Sequence, residues 1–253
     1  MKQIILLVII TGSAASCTHV YYAPNTANIP LLSEKGETRI NTLGSSGSVA
    51  TINAAEFQAA TALSHNVGIM FNTMFVSDDE SNSDEGESGN GSYAEFAAGL
   101  FKSFDKKKKG IVEIYAGSGF GTANNYYGEG LFSKVSISKL FLQPAIGFKS
   151  KYFQIAFTPK VSFINWRVKK DNLLNYPGYF DYDKQDLDYI RQNSNFIRLE
   201  PAVTLRGGWR NFKFHVGWSY SIPNNQIMEL TEIFMGSTGI SFEFNLMKHR
   251  KKL

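Results

Sequence analysis

The sequence predicts an all-β fold, an up-and-down antiparallel transmembrane β-barrel of ten strands, with eight or twelve strands as alternatives. Apolar residues recur at every second position through residues 39–246, which is the period of a strand and not of a helix. The alternating stretches run for about 10 to 15 residues, whereas strands of soluble domains usually have five or six. A tilted strand that crosses a bilayer needs roughly 9 to 11 residues. Alternation and length together favour strands that cross a membrane.

The clearest alternating stretch is residues 153–163, where Phe153, Ile155 and Phe157 share one face and Gln154 and Lys160 share the other. The same alternation occupies residues 94–100, 140–148, 197–205, 212–218 and 240–246. Along these stretches the non-apolar face mixes Gly, Ala and Ser with isolated Arg, Lys and Glu. That mixture is typical of a crowded barrel interior and not of a solvated sheet face.

The connections between the stretches alternate in length. Residues 65–66, 149–151 and 208–211 form short turns, and residues 105–110 an intermediate one. Residues 77–91, 121–137, 167–194 and 221–232 form long loops. Short turns on one side and long loops on the other are typical of outer-membrane barrels. Because unpaired backbone groups are costly in lipid, the sheet must close on itself.

Composition narrows the function classes. A chain of 253 residues with 43% hydrophobic residues suits one folded domain and excludes general disorder. The single Cys excludes an intrachain disulfide framework and a cysteine-cluster zinc site. A net charge of +4 is too small to indicate a nucleic-acid partner.

The N-terminus has the features of a secretory signal, with Lys2, an apolar run over residues 4–10 and small residues before Cys17. Those small residues resemble the lipobox of bacterial lipoproteins, although Ala14 stands where Leu is commonest in that family. The resemblance implies cleavage before Cys17 and a covalent lipid on it, and each buried lipid CH₂ contributes roughly 0.8 kcal/mol to membrane binding. The alternative is an ordinary signal peptide cut nearby, which leaves Cys17 as a free or removed thiol.

A further run of residues leads from this signal into the predicted barrel: Cys17, Tyr21, Tyr22, Pro24, Ile29-Pro30-Leu31 and Lys35-Gly36-Glu37. It looks like the corresponding part of small outer-membrane β-barrel lipoproteins of diderm bacteria. The resemblance implies fold and location and supplies no catalytic residue. The expected organisation is a signal peptide at 1–16, a lipidated tether at 17–35, the barrel at 36–246 and a basic periplasmic tail at 247–253. The expected location is the bacterial outer membrane, with the lipid anchor in the periplasmic leaflet.

The predicted inward face collects acids and bases in near balance. They are Arg39, Glu56, Glu95, Glu113, Lys160, Arg198, Glu200, Arg206, Lys213, His215 and Glu243. A barrel of this size is only slightly wider than those that side chains fill, so opposite charges should pair and plug the lumen. A selective narrow pore is the alternative. His215 is interpreted as a member of this network and not as a general base.

The predicted outer loops contain two notable groups. Acidic residues crowd residues 78–87 without the spacing of an EF-hand, so no metal site is predicted. Aromatic residues that could contact a ligand lie in the longest loop, namely Tyr176, Tyr179, Phe180 and Tyr182. No His falls in a predicted outer loop, so a Ser-His enzyme would lack its base there. No catalytic residue and no cofactor are predicted.

The sequence therefore predicts a non-enzymatic, lipid-anchored outer-membrane barrel with a charge-plugged lumen and a structural or surface-loop binding role. Its expected partners are outer-membrane lipids, the covalent lipid on Cys17 and an extracellular ligand of unknown identity. One alternative is a narrow diffusion channel. The other is a soluble β-sandwich lipoprotein tethered to the membrane, which would expose the polar face of each strand to water.

Overall fold

The computed structural model describes residues 19–47, 52–78, 87–173, 181–223 and 230–249. Its long strands are β1 (Glu37–Gly47), β2 (Asn53–Ala62), β3 (Val67–Asp78), β4 (Glu87–Ser103), β5 (Gly110–Tyr127), β6 (Phe132–Lys149), β7 (Phe153–Asp171), β8 (Asn195–Gly208), β9 (Phe212–Tyr220) and β11 (Phe234–Asn245). The shorter elements are β10 (Ile222–Pro223), α1 (Asp181–Gln192) and α2 (Leu246–His249). No helix in these ranges is long and apolar enough to cross a membrane.

The ten long strands close into a single antiparallel barrel. Each of β1 to β7 pairs with the next strand in the chain, and β8 pairs with β9. The ring closes through β11, which pairs with β9 on one side and with β1 on the other, from Glu37 opposite Asn245 to Gly47 opposite Met235. The predicted ten-stranded up-and-down barrel is confirmed, and the two-sheet sandwich is wrong because one closed sheet contains every long strand described.

The two faces of each strand differ in exposure as lipid contact requires. On β7, Phe157 and Phe163 are 44% and 46% exposed, whereas Lys160 is 1% exposed. A water-soluble sheet would bury the aromatic side chains and expose the lysine. The outward apolar face of β7 runs from Phe153 to Phe163, which at about 3.3 Å per residue and a tilt of roughly 40° covers about 25 Å along the membrane normal. That height is the one expected of a lipid-facing apolar belt.

The strands β4 to β7 contain 17 to 19 residues and extend beyond this belt at one end of the barrel. We call it the long-loop end and the opposite end the short-turn end. The prediction of a long loop over residues 121–137 is wrong, because only residues 128–131 form the turn between β5 and β6. Gly128 and Gly130 make this tight reversal with φ values of 79° and 78°. Apolar alternation fades here because the strands leave the lipid, although strand pairing continues.

Helix α1 lies at the long-loop end and is the one helix of any length in the described chain. Leu187 and Ile190 on this helix are buried in a cluster with Trp166 of β7. Arg191, in its last turn, binds Asp171 at 2.5 Å and Asp188 at 2.6 Å. The sequence predicts only a loop in this region, because one short helix with two buried residues leaves a weak periodic signal.

Residues 19–35, which we call the luminal segment, run through the interior of the barrel. His19 contacts Asp183 of α1 at the long-loop end, and Leu32 packs with Ala62 and Phe101 at the short-turn end. Gly36, at a φ of 78°, then reverses the chain into β1. The sequence predicts a tether outside the barrel for residues 17–35, whereas the described part of that stretch is buried inside it. His19, the first described residue, therefore lies at the long-loop end, whereas the sequence predicts that the tether begins on the periplasmic side, at the short-turn end.

Candidate functional site: a lumen filled by the N-terminal segment

Wall side chains hold the backbone of the luminal segment at its centre. The N–H of Thr26 donates to the Glu56 carboxylate at 3.1 Å, and the Thr26 carbonyl accepts from Gln58 at 2.8 Å. The Asn28 carbonyl accepts from Gln143 at 2.7 Å. Because an extended chain has no internal hydrogen bonds, its buried N–H and C=O groups need partners elsewhere. The wall of the barrel supplies those partners.

The same arrangement continues toward the short-turn end. The Ile29 carbonyl accepts from Arg206 at 2.8 Å and from Arg39 at 3.3 Å. The N–H of Leu31 donates to Glu113 at 3.0 Å, and the Leu31 carbonyl accepts from Lys149 at 3.1 Å. Charged wall residues therefore bind the peptide groups of the segment as well as one another, and charge-assisted bonds of this kind are stronger than neutral ones.

A buried ionic cluster occupies the middle of the lumen around Glu95 of β4. Lys139 and Lys160 lie 2.7 Å and 2.9 Å from its carboxylate. Asn25 of the luminal segment and Asn72 of β3 each donate to it at 3.0 Å. A buried charge is tolerated when its lone pairs are filled in this way. The luminal segment therefore completes the coordination of Glu95.

Tyr22 places a second group of the luminal segment among these charges. Its hydroxyl donates to Glu200 of β8 at 2.6 Å and accepts from Lys139 at 3.1 Å. Ser162 also donates to Glu200, at 2.5 Å, and the Arg198 guanidinium lies 5.3 Å from the centre of the Tyr22 ring. Cations at this distance are attracted to an aromatic ring. Tyr22 therefore links the wall cations to the wall acids.

The inner face of β5 makes room for this cluster by carrying glycine. A Cβ atom on Gly119 would lie 2.1 Å from the Tyr93 hydroxyl and 2.9 Å from Cγ of Glu95. Gly117 and Gly121, on the same inner face, would meet β4 backbone oxygens at 2.3 Å and 2.4 Å. A side chain on this face would displace the groups that cross the lumen, so the glycines permit the close packing.

A second ionic cluster lies at the short-turn end around Glu243 of β11. Lys149 is 2.6 Å from its carboxylate, Arg39 is at 2.9 Å and Lys213 at 3.3 Å. Lys149 also pairs with Glu37 at the start of β1. Three cations around one carboxylate would leave excess positive charge, and Glu37 offsets part of it.

His215 lies beside this second cluster. The Nε group of Arg206 donates to Nδ1 of His215 at 3.3 Å. Because Nδ1 accepts from a cation, it carries no proton, and the ring acts there as a neutral acceptor. Among the described residues, no acid contacts the ring in the way that orients a catalytic histidine.

Each residue of the network predicted from the sequence lies within the lumen. Ten of the eleven are buried to 4% exposure or less, and the Glu243 side chain is 14% exposed. Sequence reasoning missed Lys139, Lys149 and Glu37, together with the whole luminal segment. Lys139 lies on the polar face of β6, which could have revealed it, whereas Lys149 and Glu37 were assigned to a turn and to the approach to the barrel.

Most of the site residues predicted outside the lumen lie outside the described part of the chain. Cys17 and the aromatic residues Tyr176, Tyr179 and Phe180 lie outside the described residues, as does most of the acidic stretch at residues 78–87. Tyr182 is in α1 and is 84% exposed. Within the described ranges no group of three His, Cys, Asp or Glu side chains is arranged to hold a metal ion.

A narrow cleft opens at the long-loop end between the luminal segment and strands β3 to β6. Its wall includes Tyr21, Met74, Val76, Tyr93 and Asn125. The Tyr93 hydroxyl and the Asn125 amide nitrogen are buried without a hydrogen-bond partner among the described residues. Two unpaired polar groups beside apolar walls are the arrangement that a small amphipathic ligand could satisfy.

One closed sheet, an outward apolar belt and a charged interior occur together in this chain. The fold is that of an outer-membrane β-barrel. Solved structures similar to this barrel include the KdgM porin, at 9% identity and a TM-score of 0.37 over 82% of this chain and 99% of that one. The N-terminal β-barrel domain of Pseudomonas aeruginosa OprF is 9% identical, with a TM-score of 0.30 over 83% of this chain and 98% of that one.

The translocator domain of the autotransporter NalP from Neisseria meningitidis is 10% identical, with a TM-score of 0.37 over 83% of this chain and 89% of that one. No family model and no curated protein matches the chain.

Proposed function

We propose that this protein is a non-enzymatic, lipid-anchored barrel of the bacterial outer membrane, closed by its own N-terminal segment, with a structural or surface-binding role. One observation carries the proposal, which is the passage of residues 19–35 through the lumen with their backbone bound by wall side chains. Those bonds extend from Thr26 to Leu31. A diffusion channel needs a hydrated path with groups free to bind the passing solute, and here the same groups bind the chain itself.

Closure can be tested by planar-bilayer recording of the purified barrel. We expect the wild-type protein to give no conductance steps, and a variant lacking residues 19–32 to give them. If that deletion fails to fold, the double variant Gln143→Ala with Arg206→Ala loosens two bonds to the segment and should raise the frequency of openings. Steady conductance of the wild-type protein would support the narrow channel instead and contradict closure.

We further propose that a lipid on Cys17 lies on the long-loop side of the barrel, and not in the periplasmic leaflet expected from the sequence. Cys17 is two residues before His19, so about 7 Å at most separates their Cα atoms. His19 lies beside Asp183 of α1 at the long-loop end. An anchor in the opposite leaflet would require the luminal segment to leave the barrel and break its bonds to Glu56, Gln143 and Glu113.

Epitope tags can test this topology. A tag inserted between residues 18 and 19 should be detected by antibody on intact cells, whereas a tag after His249 should be detected only after permeabilisation. Labelling with radioactive palmitate, lost in Cys17→Ala, should show the lipid. The proposed topology is wrong if the first tag is also detected only after permeabilisation. The proposed lipidation of Cys17 is wrong if the wild-type protein is not labelled.

The cleft at the long-loop end supports the surface-binding part of the role. It lies on the side where the longer connections gather, and binding residues often lie on loops held by a rigid scaffold. Tyr93→Phe removes one unpaired hydroxyl without changing the shape of the cleft. Wild-type and Tyr93→Phe proteins can be compared for ligands bound from growth medium and identified by mass spectrometry. A ligand retained only by the wild-type protein is the expected result.

A further inference from the structure

Four cations lie close together at the long-loop ends of β6 and β7. Lys134 of β6 is paired in register with Lys170 of β7, and the outward Ser136 is paired with Arg167. Lys169 follows at a register irregularity in the same pair of strands. All four cationic side chains are exposed. None of them has an ion-pair partner in the described part of the chain.

The outward faces of the neighbouring strands, as far as the structure describes them, carry no acid beside this cluster. In the described ranges, the outward residues beside it are hydroxyl and amide side chains, namely Ser92, Thr122, Asn124, Ser136, Ser138, Asn165 and Asn195. The remaining described strands carry no outward cation at this end of the barrel. The positive charge is therefore confined to one sector of the wall.

A groove of 640 Å³ lies along the outer wall in this sector. Phe75 and Phe120, each 60% exposed, contribute its apolar part. Arg167 and Lys169 contribute its basic part, with Ser and Thr hydroxyls between the two. Apolar, hydroxyl-bearing and cationic surfaces thus follow one another along a single wall.

The height of the groove matches the boundary of the membrane. Arg167 lies four residues beyond Phe163, the last large apolar residue of the outward face of β7. Four residues rise about 13 Å along the strand, or about 10 Å along the membrane normal at a tilt of roughly 40°. Lipid headgroups occupy this depth, and basic groups placed there attract lipid phosphates.

We propose that this sector, the wall formed by β6 and β7 with Lys134, Arg167 and Lys169, binds a phosphorylated glycolipid of the leaflet at the long-loop end. The acyl chains contact Phe120 and the belt below it, the sugar hydroxyls meet the Ser and Thr side chains, and the phosphates meet the cations. Arginine suits this role because its planar guanidinium can donate two hydrogen bonds to one phosphate. The proposal goes beyond closure of the lumen and rests on the proposed outer-membrane location, with the long-loop end of the barrel in the outer leaflet.

The test compares lipid binding by folded variants in detergent, measured by native mass spectrometry. The triple variant Lys134→Gln, Arg167→Gln and Lys169→Gln removes three of the four cations of the cluster. A matched control, Lys106→Gln, Lys107→Gln and Lys151→Gln, removes the same charge at the short-turn end. The probes are diphosphorylated lipid A, its dephosphorylated form and inorganic pyrophosphate.

We expect the cluster variant to lose affinity for diphosphorylated lipid A by roughly tenfold or more, and the control to stay near the wild-type affinity. The dephosphorylated lipid should bind weakly to all three proteins, and pyrophosphate should not displace the lipid. Equal binding by the cluster variant, equal binding of the dephosphorylated lipid or displacement by pyrophosphate would each overturn the proposal. Planar-bilayer conductance of the same variants tests closure of the lumen separately, because loss of lipid binding should leave the lumen closed.

Discussion

Tyr22 and Glu200 form a hydrogen bond of 2.6 Å between residues 178 positions apart, one on the luminal segment and one on the wall. The bond joins two features that could have been independent, the N-terminal segment and the charge network. It makes the segment part of the barrel interior, because the carboxylate that accepts the hydrogen bond from Tyr22 also lies near Lys139. Stability of the barrel and retention of the segment should therefore change together.

Tyr22→Phe tests this coupling. The variant keeps the ring but removes a buried hydroxyl that Glu200 and Lys139 both contact, which should destabilise the barrel by about 1 to 3 kcal/mol. The measurement is the temperature at which the folded band disappears on heat-modified gels. Tyr182→Phe removes a hydroxyl from a side chain that is 84% exposed and should leave that temperature unchanged. Equal behaviour of the two variants would exclude a structural role for the bond.

Gly119→Ala tests the packing of the lumen. The added methyl group would meet the Tyr93 hydroxyl at 2.1 Å, and overpacking of this kind typically costs about 1 to 3 kcal/mol. Gly44→Ala is the matched control, since a Cβ there meets nothing within 4 Å. The folding yield in detergent, and the temperature at which the folded band disappears on heat-modified gels, should fall for Gly119→Ala alone. Normal stability of Gly119→Ala would show that the lumen is looser than described.

Glu95→Gln tests the central charge balance. Lys160 would lose its carboxylate partner while remaining buried, whereas Lys139 would keep only Glu200 at 3.6 Å. Breaking a buried ion pair on one side costs about 3 to 5 kcal/mol. The double variant Glu95→Gln with Lys160→Gln removes the charge that has lost its partner and should recover part of the loss. Denaturant unfolding in lipid vesicles measures both. A double variant less stable than the single one contradicts the ionic interpretation.

The His19–Asp183 contact, at 3.1 Å, predicts a pH dependence at the long-loop end. Burial lowers the pKa of His19. The hydrogen bond and charge of Asp183, together with the charge of Glu87 and the Tyr126 backbone, outweigh burial, so the pKa is raised from its ordinary value of 6.5. Because the pKa is higher in the folded state, the stabilisation is fully present below pH 6.5 and is lost as the pH rises through the folded value.

The measurement compares the unfolding temperatures of wild-type and Asp183→Asn proteins at two pH values. The wild-type protein should be the more stable at pH 5.5, by up to about 1 kcal/mol, and the difference should vanish at pH 9. A His19→Gln variant should show no such dependence. A difference that is constant across the pH range would assign the effect to a group other than His19.

Much of the barrel could be predicted because alternate residues of a single strand show which of its faces is apolar and which is polar. The alternation around Lys160 and Phe163 indicates which side chain meets lipid and which meets the lumen without knowledge of any partner strand. The charges on the inner face, from Arg39 to Glu243, follow from the same parity. The end of the β5–β6 hairpin was missed because outside the membrane its residues need not alternate between apolar and polar, so pairing continues without that signal.

The sequence by itself predicted the lipid-facing sides of the strands, the near balance of charge within, and a barrel of ten strands with eight or twelve as alternatives. Only the tertiary structure decided that residues 19–35 fill the lumen, that Lys139 joins Lys160 on Glu95 and that the described chain begins at the long-loop end. The physical reason is that an extended segment has no internal hydrogen bonds and therefore no characteristic period. Its conformation is set by partners such as Glu56, Gln143 and Glu200, which are distant in sequence and come together only when the barrel closes.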